Sequence, residues 1–171
     1  MKKILFGMLI IVVLGLTACG KEEQLDVTNM SLSVEEALET FHSTYSNVKL
    51  SAIEVTEERS KLVYEIDGFD DTKEYTVQVS EENEVDHKKE EARENDEQYQ
   101  ELVLTDYITA EDALSRAAQV SETKDLIPTS WSLDTENGTV VYSINFEDAK
   151  KEVEVTLDAQ TGEELFVELD D

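Results

Sequence analysis

The sequence is poor in the residues that build covalent staples, phosphate-binding loops and basic surfaces. Its 171 residues include one cysteine, one proline, six glycines and two histidines, and 14 basic residues stand against 41 acidic ones. A single cysteine leaves no intramolecular disulfide. The formal net charge of −27 is the opposite of the basic footprint that nucleic-acid binding requires. These absences exclude a disulfide-stapled domain and a nucleic-acid-binding protein.

No catalytic constellation is present in the sequence. His42 and His87 do not form the His-Glu-x-x-His pattern of zinc peptidases, and neither a Gly-x-Ser-x-Gly elbow nor a Gly-rich phosphate loop occurs. We interpret His42 as a helix-surface residue and His87 as a solvated one. The prediction is therefore that the protein is not an enzyme, with no catalytic residue, no metal ligand and no cofactor.

One cluster of acids invites a calcium interpretation. Asp67, Asp70 and Asp71 surround Gly68. Their spacing does not match an EF-hand loop, which places acids at alternate positions and a glutamate at its end. A hairpin turn accounts for the same residues, and we favour the turn.

The excess of acid has two interpretations. It points to partners that are cations or proteins with a basic face. The simpler alternative, which we prefer, is that acidity keeps a surface protein soluble. A cation-binding surface protein remains the alternative function, with weak binding of divalent cations.

The N-terminus has the pattern of a sorting signal. Lys2 and Lys3 precede an apolar run over residues 4–16, which leads through Leu-Thr-Ala into Cys19. This pattern resembles the lipobox of bacterial lipoproteins, in which the cysteine thiol receives lipid and becomes the mature N-terminus; the alternative is a plain signal peptide. The resemblance implies a signal peptide over 1–18, lipidation at Cys19, and anchoring to the extracytoplasmic face of the bacterial cell membrane.

The rest of the chain is duplicated. Three blocks recur in the same order at offsets of 76 to 78 residues, namely 33–38 with 109–114, 62–66 with 140–144, and 73–77 with 151–155. A repeat of this kind sets the architecture. Because two copies are too few for a solenoid, we expect two small domains, each with its own core.

Each copy combines a helical pattern with alternating strands. Ser33 and Thr109 are expected N-caps, with Glu36 and Asp112 three residues later completing capping boxes. Period-2 alternation then predicts half-buried antiparallel strands, and Asn137-Gly138 predicts a hairpin turn. The predicted fold class is α+β: two small repeats, each one helix packed on a three- to four-stranded antiparallel sheet.

These patterns divide the chain into five segments. Residues 1–18 are the signal peptide and 19–30 a flexible tether, followed by a first domain at 31–86 and a second at 107–171. Residues 87–106 form a charged linker that is either a solvated helix or flexible, and its Lys, Glu, Ala and Arg content favours the helix. The first domain lacks the glycine turn that Gly162 supplies in the second. The sequence therefore does not determine whether the first domain forms its last hairpin.

The motifs together resemble the PepSY domain. They comprise a helix opening Ser/Thr-x-Glu-Glu/Asp-Ala-Leu, a strand Leu-Val-Tyr-x-Ile, a strand Lys-Glu-Tyr/Val-x-Val, and the turn Asp158-Ala-Gln-Thr-Gly-Glu163. PepSY domains occur in secreted or membrane-attached bacterial proteins and in peptidase propeptides. The resemblance implies a noncatalytic binding module that restrains or localises a peptidase or another envelope protein. Its expected partners are that protein and, through lipid on Cys19, the membrane.

Overall fold

Two helices and eight strands make up the regular structure of the described residues. A computed structural model describes residues 24–93 and 99–170. The helices are α1 (Val34–Thr44) and α2 (Ala110–Ala117). The strands are β1 (Lys49–Glu58), β2 (Lys61–Phe69), β3 (Lys73–Ser80), β4 (Val85–Ala92), β5 (Ile127–Glu136), β6 (Thr139–Glu147), β7 (Glu152–Asp158) and β8 (Glu164–Asp170).

All eight strands belong to one antiparallel sheet in the order β4-β3-β2-β1-β5-β6-β7-β8. Each repeat contributes one helix and four strands, as the α+β prediction allows. The expectation that each domain has its own core is wrong, because β1 pairs with β5 and joins the two halves. The buried side chains of both repeats then form one hydrophobic cluster.

The two halves meet about a pseudo-two-fold axis. At the β1–β5 seam, Ile53 pairs with Leu133, Glu54 with Ser132, and Val55 with Trp131. Ser132 is the counterpart of Glu54 under the 78-residue offset, so Glu54 lies opposite its own counterpart in the other repeat. The seam therefore has the arrangement of an isologous dimer interface within a single chain.

Both helices begin at the predicted caps. The Ser33 side chain accepts a hydrogen bond from the Glu36 backbone N–H, and the Glu36 carboxylate accepts one from the Ser33 N–H, which completes the capping box. In α2, Thr109 accepts from the Asp112 N–H at 3.2 Å. The Asp112 carboxylate does not accept the reciprocal bond from the Thr109 N–H in this cap, since aspartate is one methylene shorter than glutamate.

The two repeats fill their cores in opposite ways. In the first, Phe41 of α1 packs above Gly68 of β2, where an added Cβ would lie 2.7 Å from the ring atom Cζ. The counterparts in the second repeat are Ala117 of α2 and Phe146 of β6, both buried. The large side chain comes from the helix in one repeat and from the strand in the other, so each pair fills its space with one large residue.

The first repeat extends further than predicted. Residues 85–92, which the sequence places at the end of the first domain and in a charged linker that is helical or flexible, form strand β4 paired with β3. The hairpin that leads into β4 closes with Asn83 at φ 60°, whereas Gly162 has φ 70° in the corresponding turn of the second repeat. Asparagine tolerates this left-handed conformation better than other non-glycine residues, which explains how the hairpin forms without glycine.

The segments before α1 and α2 pack against the sheet. Residues 24–30 were predicted to belong to a flexible tether, but Val27 is buried in a 3₁₀ turn and the Gln24 side chain hydrogen-bonds the Glu147 carboxylate. Between β4 and α2, Leu102 is buried and its N–H donates to the Leu50 carbonyl at 2.9 Å. Apolar side chains hold both segments in place, so they are parts of the fold.

The two described helices pack on one face of the sheet, and the opposite face is rich in carboxylates. Glu54 lies there opposite Glu65 on β2. Burial raises the pKa of Glu54 to about 7, with help from the negative charges of Glu65, Asp67 and Asp134. Burial likewise raises the pKa of Asp67 to about 6, against a hydrogen bond from Thr76. This acidic face is thus poised to take up protons near neutral pH.

Candidate binding cleft

A cavity lies where the two repeats meet on the helix-covered face of the sheet. Its volume is about 970 Å³, which is within the range of pockets that hold ligands. The lining comes from both repeats and from the packed N-terminal segment, and includes Val27, Met30, Leu104, Tyr107, Leu114 and Trp131. Most of these side chains are apolar, so the cleft suits an apolar occupant.

Three aromatic side chains form the floor of the cleft. The ring of Trp131 on β5 lies between Tyr64 on β2 and Tyr142 on β6, with centroid distances of 6.4 and 6.0 Å. The Tyr64 hydroxyl donates to the carbonyl of Leu32 at 2.9 Å, and the Tyr142 hydroxyl donates to that of Ile108 at 2.8 Å. These equivalent bonds fix the chain immediately before each helix and commit both hydroxyls to structural roles.

The first turns of the two helices bring acids to the rim. Glu35 and Glu111, counterparts under the 76-residue offset, are both exposed and both line the cavity. Burial raises the pKa of Tyr64, and the negative charges of Glu35 and Glu111 raise it further. Both carboxylates therefore act on the same point of the floor.

The rim acids are without an ion pair among the described residues. First-turn acids also stabilise helices through the macrodipole, so their position alone does not define a site. Glu35 and Glu111 differ from ordinary first-turn acids because both lie at the rim of one apolar cavity. Lys124 is the basic residue of the same lining. The arrangement can bind an apolar group that carries a positive charge.

The residues singled out from the sequence lie elsewhere or outside the described chain. Cys19 falls outside the described residues, so its lipidation stays a prediction. His42 is exposed on α1 with its ring 5.3 Å from that of Phe41, and His87 is exposed on β4. Neither histidine reaches the cleft lining.

Asp70 and Asp71 lie in the turn between β2 and β3, as the favoured interpretation predicted, whereas Asp67 belongs to β2. Asp70 accepts hydrogen bonds from the Thr72 N–H at 2.7 Å, the following N–H and the Tyr75 hydroxyl. These bonds hold the pKa of Asp70 well below its usual range. Asp67 bonds to Thr76 on the acidic face, and Asp71 is exposed. Within 24–93 and 99–170, no group of three or more His, Cys, Asp or Glu side chains is arranged to hold a metal ion.

No helix in the part of the chain that the structure describes is long and apolar enough to cross a bilayer.

The sequence does not favour the cleft. Period-2 spacing assigns the aromatic residues of its floor to the buried sheet face and leaves a peptide groove lined by them as the alternative. Pairing of β1 with β5 then places Tyr64, Trp131 and Tyr142 in a row between the two helices. The similar offsets of the helix and the strands, 76 and 78 residues, were the available signal, because equivalent surfaces of a duplicated unit often meet around an axis.

The fold is that of a duplicated α+β module with a cleft between its two copies. The family model for the PepSY domain, described as "Peptidase propeptide and YPEB domain", matches residues 31–80 and 107–168. The chain therefore belongs to the PepSY family and carries two tandem copies of its domain.

Comparison with solved structures finds the same fold in a protein from Clostridium difficile 630 described as a putative lipoprotein. The alignment has a TM-score of 0.71 and 24% sequence identity, and covers 88% of this chain and 98% of the other. At this identity the similarity establishes the fold alone. No curated protein matches the sequence.

Proposed function

We propose that this protein is a noncatalytic, lipid-anchored binding module on the extracytoplasmic face of the cell membrane. Its cleft holds a segment of a peptidase or another envelope protein and thereby restrains or localises that partner. The observation that carries the proposal is the apolar cleft between the repeats, with Glu35 and Glu111 converging at its rim. Membership of the PepSY family supports the peptidase as partner class.

The cleft specifies the chemistry of the bound segment. Apolar side chains of the partner would pack on the floor formed by Tyr64, Trp131 and Tyr142. A lysine or arginine beside them would place its charged head between Glu35 and Glu111 and its methylene stem on the aromatic rings. A chain with a net charge of −27 attracts such a basic segment over a distance as well.

Site-specific crosslinking in intact cells tests the proposal. A photoreactive residue at Leu114, in the cleft, is expected to capture an envelope protein, whereas the same residue at Ser60, in the exposed β1–β2 turn, is not. Glu35→Lys combined with Glu111→Lys should reduce the adduct at least fivefold. Glu57→Lys combined with Glu84→Lys alters the net charge equally at exposed positions outside the cleft and should leave the adduct unchanged.

Two results contradict the binding role: equal adducts from both positions, or an adduct that is insensitive to the cleft charges.

The same cells test the lipid anchor. Cys19→Ala should abolish palmitate labelling and release the protein from the membrane fraction, because Cys19 is the single cysteine. Continued labelling of that variant would refute lipidation at this residue.

A further inference from the structure

The outer strand β8 exposes apolar side chains at the end of the sheet. Leu165, Phe166 and Leu169 are 53%, 56% and 53% exposed. The strand pairs with β7 on one side, and no described residue pairs with its other side. An outer strand of this kind presents unpaired backbone donors and acceptors, which can accept a further strand.

The opposite edge of the same sheet is protected. Lys88 on β4 pairs with Val77 on β3. At the equivalent position of the second repeat, Val167 on β8 pairs with Val155 on β7. The edge strand β4 therefore has a charged residue where β8 has an apolar one. Every residue of β4 is exposed and most are charged. Charged side chains on an edge strand discourage pairing with other chains. The two repeats thus have equivalent edges of opposite character, and β8 is the unprotected one.

Charges beside β8 indicate which strand would fit. Glu168 lies directly opposite Glu154 on β7, and like charges at such a cross-strand position are destabilising. Burial raises the pKa of Glu154, and the negative charges of Glu136, Glu168 and Glu152 raise it further. Neither β7 nor β8 contains a lysine or arginine. A basic residue placed next to Glu168 by an added strand would relieve this repulsion.

A second copy of the chain fits the edge less well. Pairing two β8 strands would bring no basic residue to this face and would add a second set of carboxylates. Each chain also carries a net charge of −27, which opposes self-association.

We infer that β8 binds an extended segment of another protein by strand addition, and that this segment alternates apolar and basic residues. The apolar residues lie beside Leu165, Val167 and Leu169, and a basic residue lies beside Glu168. The edge is separate from the cleft, so the two surfaces can engage a partner independently.

Peptide binding to the full chain in neutral detergent micelles tests the inference. The probe is a fluorescent seven-residue peptide that alternates lysine and valine. Two control peptides have the same side chains and are N-methylated at alternate backbone amides, one at the odd-numbered and one at the even-numbered positions, so each lacks the hydrogen-bond donors along one edge. The first peptide is expected to bind at least tenfold more tightly than the control that lacks the donors facing β8.

Variants of the protein separate strand addition from general charge attraction. Leu165→Lys combined with Leu169→Lys should weaken binding at least tenfold, and Glu168→Gln should weaken it several-fold with little risk to folding. Glu57→Lys, which changes the net charge as much as the two leucine substitutions together, should bind within twofold of the parent. Circular dichroism and Trp131 fluorescence verify that each variant folds.

Four outcomes would overturn the inference. The peptides could bind equally, which indicates charge attraction alone, or binding could be insensitive to the β8 variants. Sedimentation could instead show self-association that Leu165→Lys with Leu169→Lys abolishes, which would assign the edge to a second copy. Loss of peptide binding in Glu35→Lys with Glu111→Lys, but not in the β8 variants, would move the peptide to the cleft.

Discussion

Individual residues show how the two repeats reach one fold with different side chains. Phe41 above Gly68 in the first repeat corresponds to Ala117 and Phe146 in the second. A core needs its volume filled but does not prescribe which element fills it. The alanine-rich stripe of α2 is therefore not a sign of a weaker core, since the strand supplies the missing volume.

The pairing of Phe41 with Gly68 predicts energetic coupling. Gly68→Ala should lower the free energy of unfolding by about 2 kcal/mol, because its Cβ would lie 2.6 Å from the Lys49 carbonyl and 2.7 Å from Phe41. Combining it with Phe41→Leu should cost about 1 kcal/mol less than the sum of the two single changes. Urea unfolding of the four proteins measures this difference.

Gly138→Ala is the matched control. It has open space around the new Cβ but a φ of 84°, so it should cost about 1 kcal/mol by backbone strain alone. This cost should add to that of Phe41→Leu without coupling. Additive behaviour at Gly68 as well would contradict the packing argument.

At the scale of the elements, the two hairpins of equivalent position differ in turn chemistry. Asn137 and Gly138 have φ values of 49° and 84°, and Arg59 and Ser60 have φ values of 52° and 64°. Both turns place two consecutive residues in the left-handed region, as a type I′ hairpin requires. Asparagine and glycine suit these positions, whereas arginine and serine are strained there.

Replacing Arg59-Ser60 by Asn-Gly should therefore stabilise the protein by about 1 kcal/mol, and replacing Asn137-Gly138 by Arg-Ser should destabilise it by a similar amount. The ion pair of Arg59 with Glu58 is exposed and contributes little. Thermal unfolding measures both changes. A loss of stability on grafting Asn-Gly would show that the first turn depends on contacts of Arg59 or Ser60.

The sequence predicted elements with a clear period and missed those without one. The strands containing Tyr64, Val77, Tyr142 and Val155 alternate apolar and polar residues, and both helices have capping residues. Strand β4 has no such alternation, because all its residues are exposed and its stability comes from backbone pairing with β3. Its lysines and glutamates instead favour a helix, so local propensity and tertiary pairing disagreed.

On the scale of the whole molecule, joining the repeats creates features that neither repeat has alone. The cleft depends on the β1–β5 pairing, which no local pattern encodes. The same pairing buries Glu54 in the middle of an eight-stranded sheet, among acids from both repeats. The sequence accordingly predicted the units, and their pairing determines the candidate site.

The acidic face predicts an unusual dependence of stability on pH. The pKa values of Glu54 and Asp67 rise to about 7 and about 6 on folding, so the folded chain binds protons more tightly than the unfolded chain. This contribution is full below about pH 4 and is lost as the pH rises through about 6 to 7. Hydrogen bonds lower the pKa of Asp70, so its contribution to stability is lost as the pH falls. Stability should therefore be greatest near pH 5.

Urea unfolding followed by Trp131 fluorescence measures this profile. Glu54→Gln should remove up to about 2 kcal/mol of the loss between pH 5 and pH 8. Glu57→Gln, at an exposed position on the same strand, should leave the profile unchanged. A flat profile in the parent protein would contradict the burial of these carboxylates.

The residue on the pseudo-two-fold axis has a consequence for how such a molecule can arise. Two identical subunits joined by the same strand pairing would set Glu54 against a second Glu54, with both side chains half-buried. Symmetry forbids identical subunits from differing at that point. Once the halves are covalently fused they can diverge, and here Ser132 occupies the second place. Fusion thus allows one carboxylate to remain at the axis without facing its duplicate.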